Sequence, residues 1–140
     1  MAREGLTADR ADAPATGHTA DRGRARLLGW VLALAWAALI FWQSETTGAG
    51  GLLGRLPDGS DKVAHAIGYL ALSAFLTLAT GRPALAAALA ALYGVTDEVH
   101  QAFVPGRRSD ALDVVADAVG AAVGAWLAWR LLSRRRRTRA

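Results

Sequence analysis

The sequence contains no cysteine, which excludes disulfides, thiolate zinc sites and cysteine nucleophiles. A phosphate-cradling loop is also missing, because Gly48–Gly54 lacks the Lys-Ser/Thr ending that makes one. Ser44, Ser60, Ser73 and Ser109 stand in no nucleophile motif. There is no His-x-x-x-His pair, and His18 lies in a polar tail without a role. Charge is sparse, at 20% of residues against ~25% in soluble domains. The common soluble hydrolases and nucleotide-binding enzymes are thereby set aside.

What the chain does contain is apolar length. The apolar fraction is 53% over 140 residues, enough for one domain, and the average understates the middle because both ends are polar. Residues 1–26 read as a tail that is disordered at its start and basic at its end, and 133–140 as a second basic tail. A pI near 10.6 does not point to nucleic acid. Arg22, Arg24 and Arg26 precede the first apolar run, and Arg134 to Arg137 with Arg139 follow the last. Clusters so placed attract anionic lipid head groups, at ~1 kcal/mol per residue near the surface.

Four membrane spans are expected within 27–132. They are Leu27–Gln43, Val63–Thr80, Ala84 to Phe103 and Ala111 to Leu132, each near the ~20 residues that cross a bilayer. No small-x-small cleavage site follows the first run, so it reads as an uncleaved helix. The Gly/Pro-rich stretch 47–60 reads as a surface loop, and Gly81-Arg82-Pro83 as a tight hairpin turn. Arginine bias places both termini in the cytoplasm. The expected fold is all-α: a four-helix transmembrane bundle, N-in and C-in.

Ionisable residues sit within or at the edge of these runs, where a charge at the bilayer centre costs at least ~2.5 kcal/mol. Helical spacing puts Asp61, His65 and Tyr69 on one face at the start of span two. Asp97, Glu98 and Gln101 share a face near the end of span three. Asp110, Asp113, Asp117, Gly120 and Gly124 form one stripe down span four, acidic above and ending in Gly-x-x-x-Gly, which lets helices approach closely. If the helices bundle, the acidic faces meet near the outer surface. Lys62 stands beside them, and Arg107 and Arg108, after Pro105 and Gly106, are expected to neutralise several carboxylates.

Two readings of this cluster stand side by side: a structural charge network that locks short helices together, and a site for a polar or charged head group. Asp61, His65 and Glu98, with His100 and Asp113, offer metal-type ligands. His100, however, faces another side of its helix from Asp97 and Gln101, and no metal or cofactor is expected.

Four motifs then carry a resemblance. Phe41-Trp42-Gln43-Ser44, Asp61-Lys62-x-x-His65-x-x-x-Tyr69, Asp97-Glu98-x-x-Gln101-x-Phe103-x-Pro105-Gly106-Arg107 and Asp113-x-x-x-Asp117-x-x-Gly120-x-x-x-Gly124 together resemble the VanZ-like family. These are small bacterial inner-membrane proteins named for an accessory protein of teicoplanin resistance. The family often has asparagine where Asp117 stands. The resemblance implies a multi-pass protein of the cell envelope, linked to glycopeptide tolerance, and supplies no reaction.

The preferred function is therefore non-enzymatic binding of a polar or lipid-linked envelope ligand, a lipid-linked cell-wall head group being one candidate, or of a partner, at the outer face, with the bilayer itself as the main contact and an oligomer left open. The alternatives are a membrane enzyme using His65 and Glu98 as acid and base, and a purely structural network. A transporter is disfavoured because no inverted repeat is evident.

Overall fold

The computed structural model describes residues 16–45, 60–107 and 109–138, with side chains described throughout except at 16–19, 60, 61 and 136. Four helices make up the described chain: α1 (Thr16–Glu45), α2 (Ser60–Thr80), α3 (Pro83–Gln101) and α4 (Ala111–Arg137). The helix α1 begins at Thr16, so Arg22, Arg24 and Arg26 are helical. The 47–60 loop lies outside the described residues, apart from Ser60.

The α2–α3 hairpin follows from local chemistry. Gly81, at φ 69°, ends α2 and donates its N–H to the Thr77 carbonyl at 2.8 Å, the usual device for a left-handed helix end. Arg82 is extended, as a residue before proline must be, and Pro83 opens α3 where its missing N–H is not needed.

Chain direction alternates from helix to helix. Trp36 Nε1 donates to the Gly68 carbonyl at 2.8 Å, and Gly29 lies against the backbone of Ala79, so α1 and α2 are antiparallel. Tyr93 Oη donates to the Ala37 carbonyl at 2.8 Å and Ser44 reaches Asp97, so α1 and α3 are parallel. The most extensive contact joins α2 to α4, also parallel, and the slightest joins α1 to α3. Among the described residues α1 and α4 do not touch, so they flank the bundle on opposite sides and α2 packs against both.

Glycine explains the close α2–α4 contact. A Cβ on Gly120 would collide with the Ala66 carbonyl, and one on Gly124 with the Leu70 carbonyl and Ser73 Oγ. The core is correspondingly built from small side chains, Ala33, Ala86, Ala90 and Ala121, around Tyr69, Leu72 and Leu76. Ser73 and Thr77 are buried and return their hydroxyls to their own helix, to Leu70 O at 3.1 Å and Ser73 O at 2.8 Å. Large apolar residues point outward instead, Leu34, Ile67, Leu92, Val115 and Leu131 among them. Small inside and large outside is the arrangement of helices solvated by lipid. Three helices, α1, α2 and α4, are long and apolar enough to cross a membrane. Between α2 and α4 an open groove of about 420 Å³ runs from Lys62 past Ile67 and Leu70 to Val123.

Candidate functional site

One end of the bundle collects the polar residues. The last turns of α3 bring Asp97, Glu98 and Gln101 inward, and the first turns of α4 bring Asp113 and Asp117; all five are buried. Asp117 is fully buried under α3 because position 94 is glycine: a Cβ there would lie 2.8 Å from Asp117 Oδ2. From α2 come Lys62, His65 and Tyr69, and from the end of α1 comes Ser44, buried as well.

These residues are held in three groups. Lys62 Nζ donates to Asp110 Oδ2 at 2.7 Å and to Asp113 Oδ1 at 2.9 Å. That ammonium, with the Leu112 N–H that Asp110 caps at 2.9 Å, holds the Asp110 carboxyl below the usual carboxylate range. Asp97 accepts from Ser44 Oγ at 2.6 Å and from Gln101 Nε2 at 3.1 Å. His65 Nδ1 meets Asp117 Oδ1 at 3.0 Å, and the His65 ring stacks against Tyr69 with centroids 6.5 Å apart. Glu98 Oε2 accepts the N–H of Asp110 at 3.0 Å, tying the end of α3 to the start of α4.

The groups are incomplete in a specific way. Tyr69 Oη, Glu98 Oε1 and Asp117 Oδ2 are buried and accept or donate no hydrogen bond among the described residues. Leaving a buried polar atom unmatched costs ~1–3 kcal/mol, more for a charged group. Among the described residues Glu98 also has no lysine or arginine partner. A nitrogen of His65 and a carboxylate oxygen from each of Glu98 and Asp113 lie within 4.8 Å of one another.

The arginine expectation requires correction. Arg107 binds no carboxylate among the described residues: Nε donates to Ser44 O at 3.2 Å and Nη2 to Gln43 O at 2.5 Å. It thereby satisfies carbonyls at the C-terminal end of α1, where a helix has orphan acceptors and attracts a cation. The neutralising role falls to Lys62. Arg108 and the Asp61 side chain lie outside the described residues, so the metal-type ligands brought together are His65 and Glu98 with Asp113. Asp110 is the N-cap of α4 rather than part of its stripe. Pro105 is exposed in the α3–α4 turn, whose Gly106 has φ 83°. His100 faces away from the cluster, stacked on Phe41 at 4.8 Å and paired with Glu45 at 2.5 Å.

Two participants escape spacing arguments. Ser44 shares no helical face with the acidic residues, and its signal in the sequence is its place in the Phe41-Trp42-Gln43-Ser44 motif at the end of the first apolar run. Gly94 looks like any small residue in an apolar helix, yet it makes room for Asp117.

No curated protein and no solved structure matches the chain. The VanZ/LLP1 family model matches residues 28–133, which span all four helices and every group described above, and the chain belongs to that family.

Proposed function

We propose that the chain is a four-span, N-in and C-in protein of the bacterial cytoplasmic membrane that binds a lipid-linked envelope head group at its outward polar end. One observation carries the reading. Glu98 Oε1 and Asp117 Oδ2 are buried without partners although Lys62, Ser44, Gln101 and Arg107 around them are all engaged. A purely structural network gains nothing by leaving acceptors bare, whereas a site awaiting a ligand has reason to. The groove that starts at Lys62 and continues between α2 and α4 suits the attached lipid chain. The basic termini then rest on anionic lipid of the cytoplasmic leaflet. A contribution to teicoplanin tolerance follows if the head group belongs to cell-wall synthesis.

The test is mass spectrometry of lipids that co-purify with the protein in mild detergent. A phosphate-bearing lipid enriched over the bulk membrane, and lost in Glu98→Gln at unchanged melting, is the expected result. No enrichment removes the reading. Alkaline phosphatase fused after Gly54 should be active and after Ala140 inactive; the reverse pattern overturns the orientation.

A second reading, a membrane enzyme on the same lipid-linked substrate, draws on the His65–Asp117 contact, which orients an imidazole beside Glu98. It predicts turnover that disappears in His65→Ala while lipid still binds.

A further inference from the structure

We propose that His65, Glu98 and Asp113 hold one divalent transition-metal ion, zinc or manganese by ligand type, at the polar end of the bundle. The proposal rests on the head-group reading and supplies its missing electrostatics.

Charge balance is the first argument. Asp97, Glu98, Asp110, Asp113 and Asp117 converge there, and the permanent cations at that end, among the described residues, are Lys62 and Arg107. Arg107 is committed to main-chain carbonyls of α1, and Lys62 to Asp110 and Asp113. Glu98 is left 3% exposed, with no lysine or arginine partner and one bare oxygen among the described residues. A buried carboxylate in that condition is costly unless it is paired or coordinates a metal. An anionic head group approaching this cluster meets net repulsion, and a divalent ion reverses it.

Histidine chemistry is the second. Asp117 Oδ1 sits 3.0 Å from His65 Nδ1. Donation of Nδ1–H to that carboxylate leaves the lone pair on Nε2, the carboxylate–histidine pairing that orients metal-bound imidazoles. Asp117 is fully buried and unavailable to solvent, as a positioning residue behind a ligand should be.

The third argument is reach. A ring nitrogen of His65 and one carboxylate oxygen from each of Glu98 and Asp113 lie within 4.8 Å of one another, and tetrahedral ligands at ~2.1 Å from zinc sit about 3.4 Å apart. Closure needs rotamer adjustments of roughly an ångström. Three protein ligands leave a fourth position open, where a phosphate oxygen of the head group binds. One imidazole with two carboxylates is a donor set suited to zinc or manganese rather than to softer ions.

The experiment uses the full chain carrying a histidine-free affinity tag, purified in detergent, loaded separately with zinc and with manganese, and dialysed. Metal per chain is then read by mass spectrometry, and melting with and without EDTA. About one equivalent of zinc or manganese is expected, with a higher melting temperature that EDTA reverses. His65→Ala, Glu98→Gln and Asp113→Asn should each lower occupancy at least tenfold. Glu45→Gln, which disturbs the exposed His100 pair, should leave occupancy unchanged. Neither metal retained by the wild-type protein, or retention indifferent to Glu98→Gln and Asp113→Asn, overturns the proposal. Lipid co-purification judges the head-group reading separately: lipid retained after EDTA with no bound metal sinks the ion and spares the ligand.

Discussion

The two ends of the α2–α4 contact are built by opposite means. Toward Gly124 the helices touch backbone to backbone, with Gly120 and Gly124 against Ala66 and Leu70. Toward Lys62 the same helices are linked by polar side chains, through Lys62–Asp113 and His65–Asp117. Among the described residues the apolar end leaves no buried side-chain polar atom unmatched, and Ser73 and Thr77 bond their own helix. The polar end leaves three buried atoms bare. A rigid seam without open valences supports an end that has them, which is how a binding constellation is kept in geometry by residues that never touch the ligand.

The largest effect should come from filling the seam. Gly120→Leu and Gly124→Leu drive a side chain into main-chain atoms that cannot rotate away. Overpacking costs ~1–3 kcal/mol and occasionally more, and rigid backbone on the far side favours the upper part of that range. Thermal melting in detergent should fall for both, and lipid or metal retention should fall with it, although neither residue lies in the site. Full retention in both variants would detach the seam from the polar end.

Next is Asp117. Asp117→Ala leaves His65 without its orienting partner, while Asp117→Asn keeps an acceptor for Nδ1–H. Melting should drop clearly for alanine and little for asparagine. Equal losses would mean that the negative charge, not the hydrogen bond, positions His65. Trp36→Phe should have a smaller effect, about 0.5–1.5 kcal/mol for a lost hydrogen bond, since the ring still packs edge-on against Phe75. That change, in the satisfied half, should leave occupancy of the polar end unaltered, which ligand retention checks.

Smallest is the pH response of Asp110. Its folded-state pKa is lowered, chiefly by Lys62, so its contribution to stability is complete above the ordinary carboxylate value of about 3.9 and is lost as pH falls through the folded value. The acid limb of a melting-versus-pH curve should flatten slightly in Asp110→Asn. An unchanged limb would show that the Lys62 contact is too exposed to matter.

Much of this architecture was legible in spacing alone. The 3–4 rhythm of Asp113, Asp117, Gly120 and Gly124 puts acids and glycines on one side of α4, and Asp97, Glu98 and Gln101 obey the same rhythm on α3. What spacing could not give was the pairing across helices. Arg107 reads as a neutraliser of carboxylates because its charge is opposite, but the free carbonyls at the end of α1 compete for it and prevail. Ser44 and Gly94 act through tertiary proximity, which a single chain's periodicity does not encode. The parallel, glycine-lined approach of α2 and α4 is likewise a pairing between helices, and the spacing within either one does not name its partner.

The most direct test of the account is the melting temperature of ligand-free, metal-stripped Glu98→Gln. If the polar end is a site held open for a ligand, the wild-type protein carries a buried, unpaired carboxylate oxygen at a standing loss of stability. Removing that charge, while keeping an oxygen for the Asp110 N–H, should leave melting unchanged or raise it even as ligand retention is lost. A distinct fall in melting would instead make Glu98 part of a self-sufficient structural network, and would contradict the claim that this end of the bundle is a binding site.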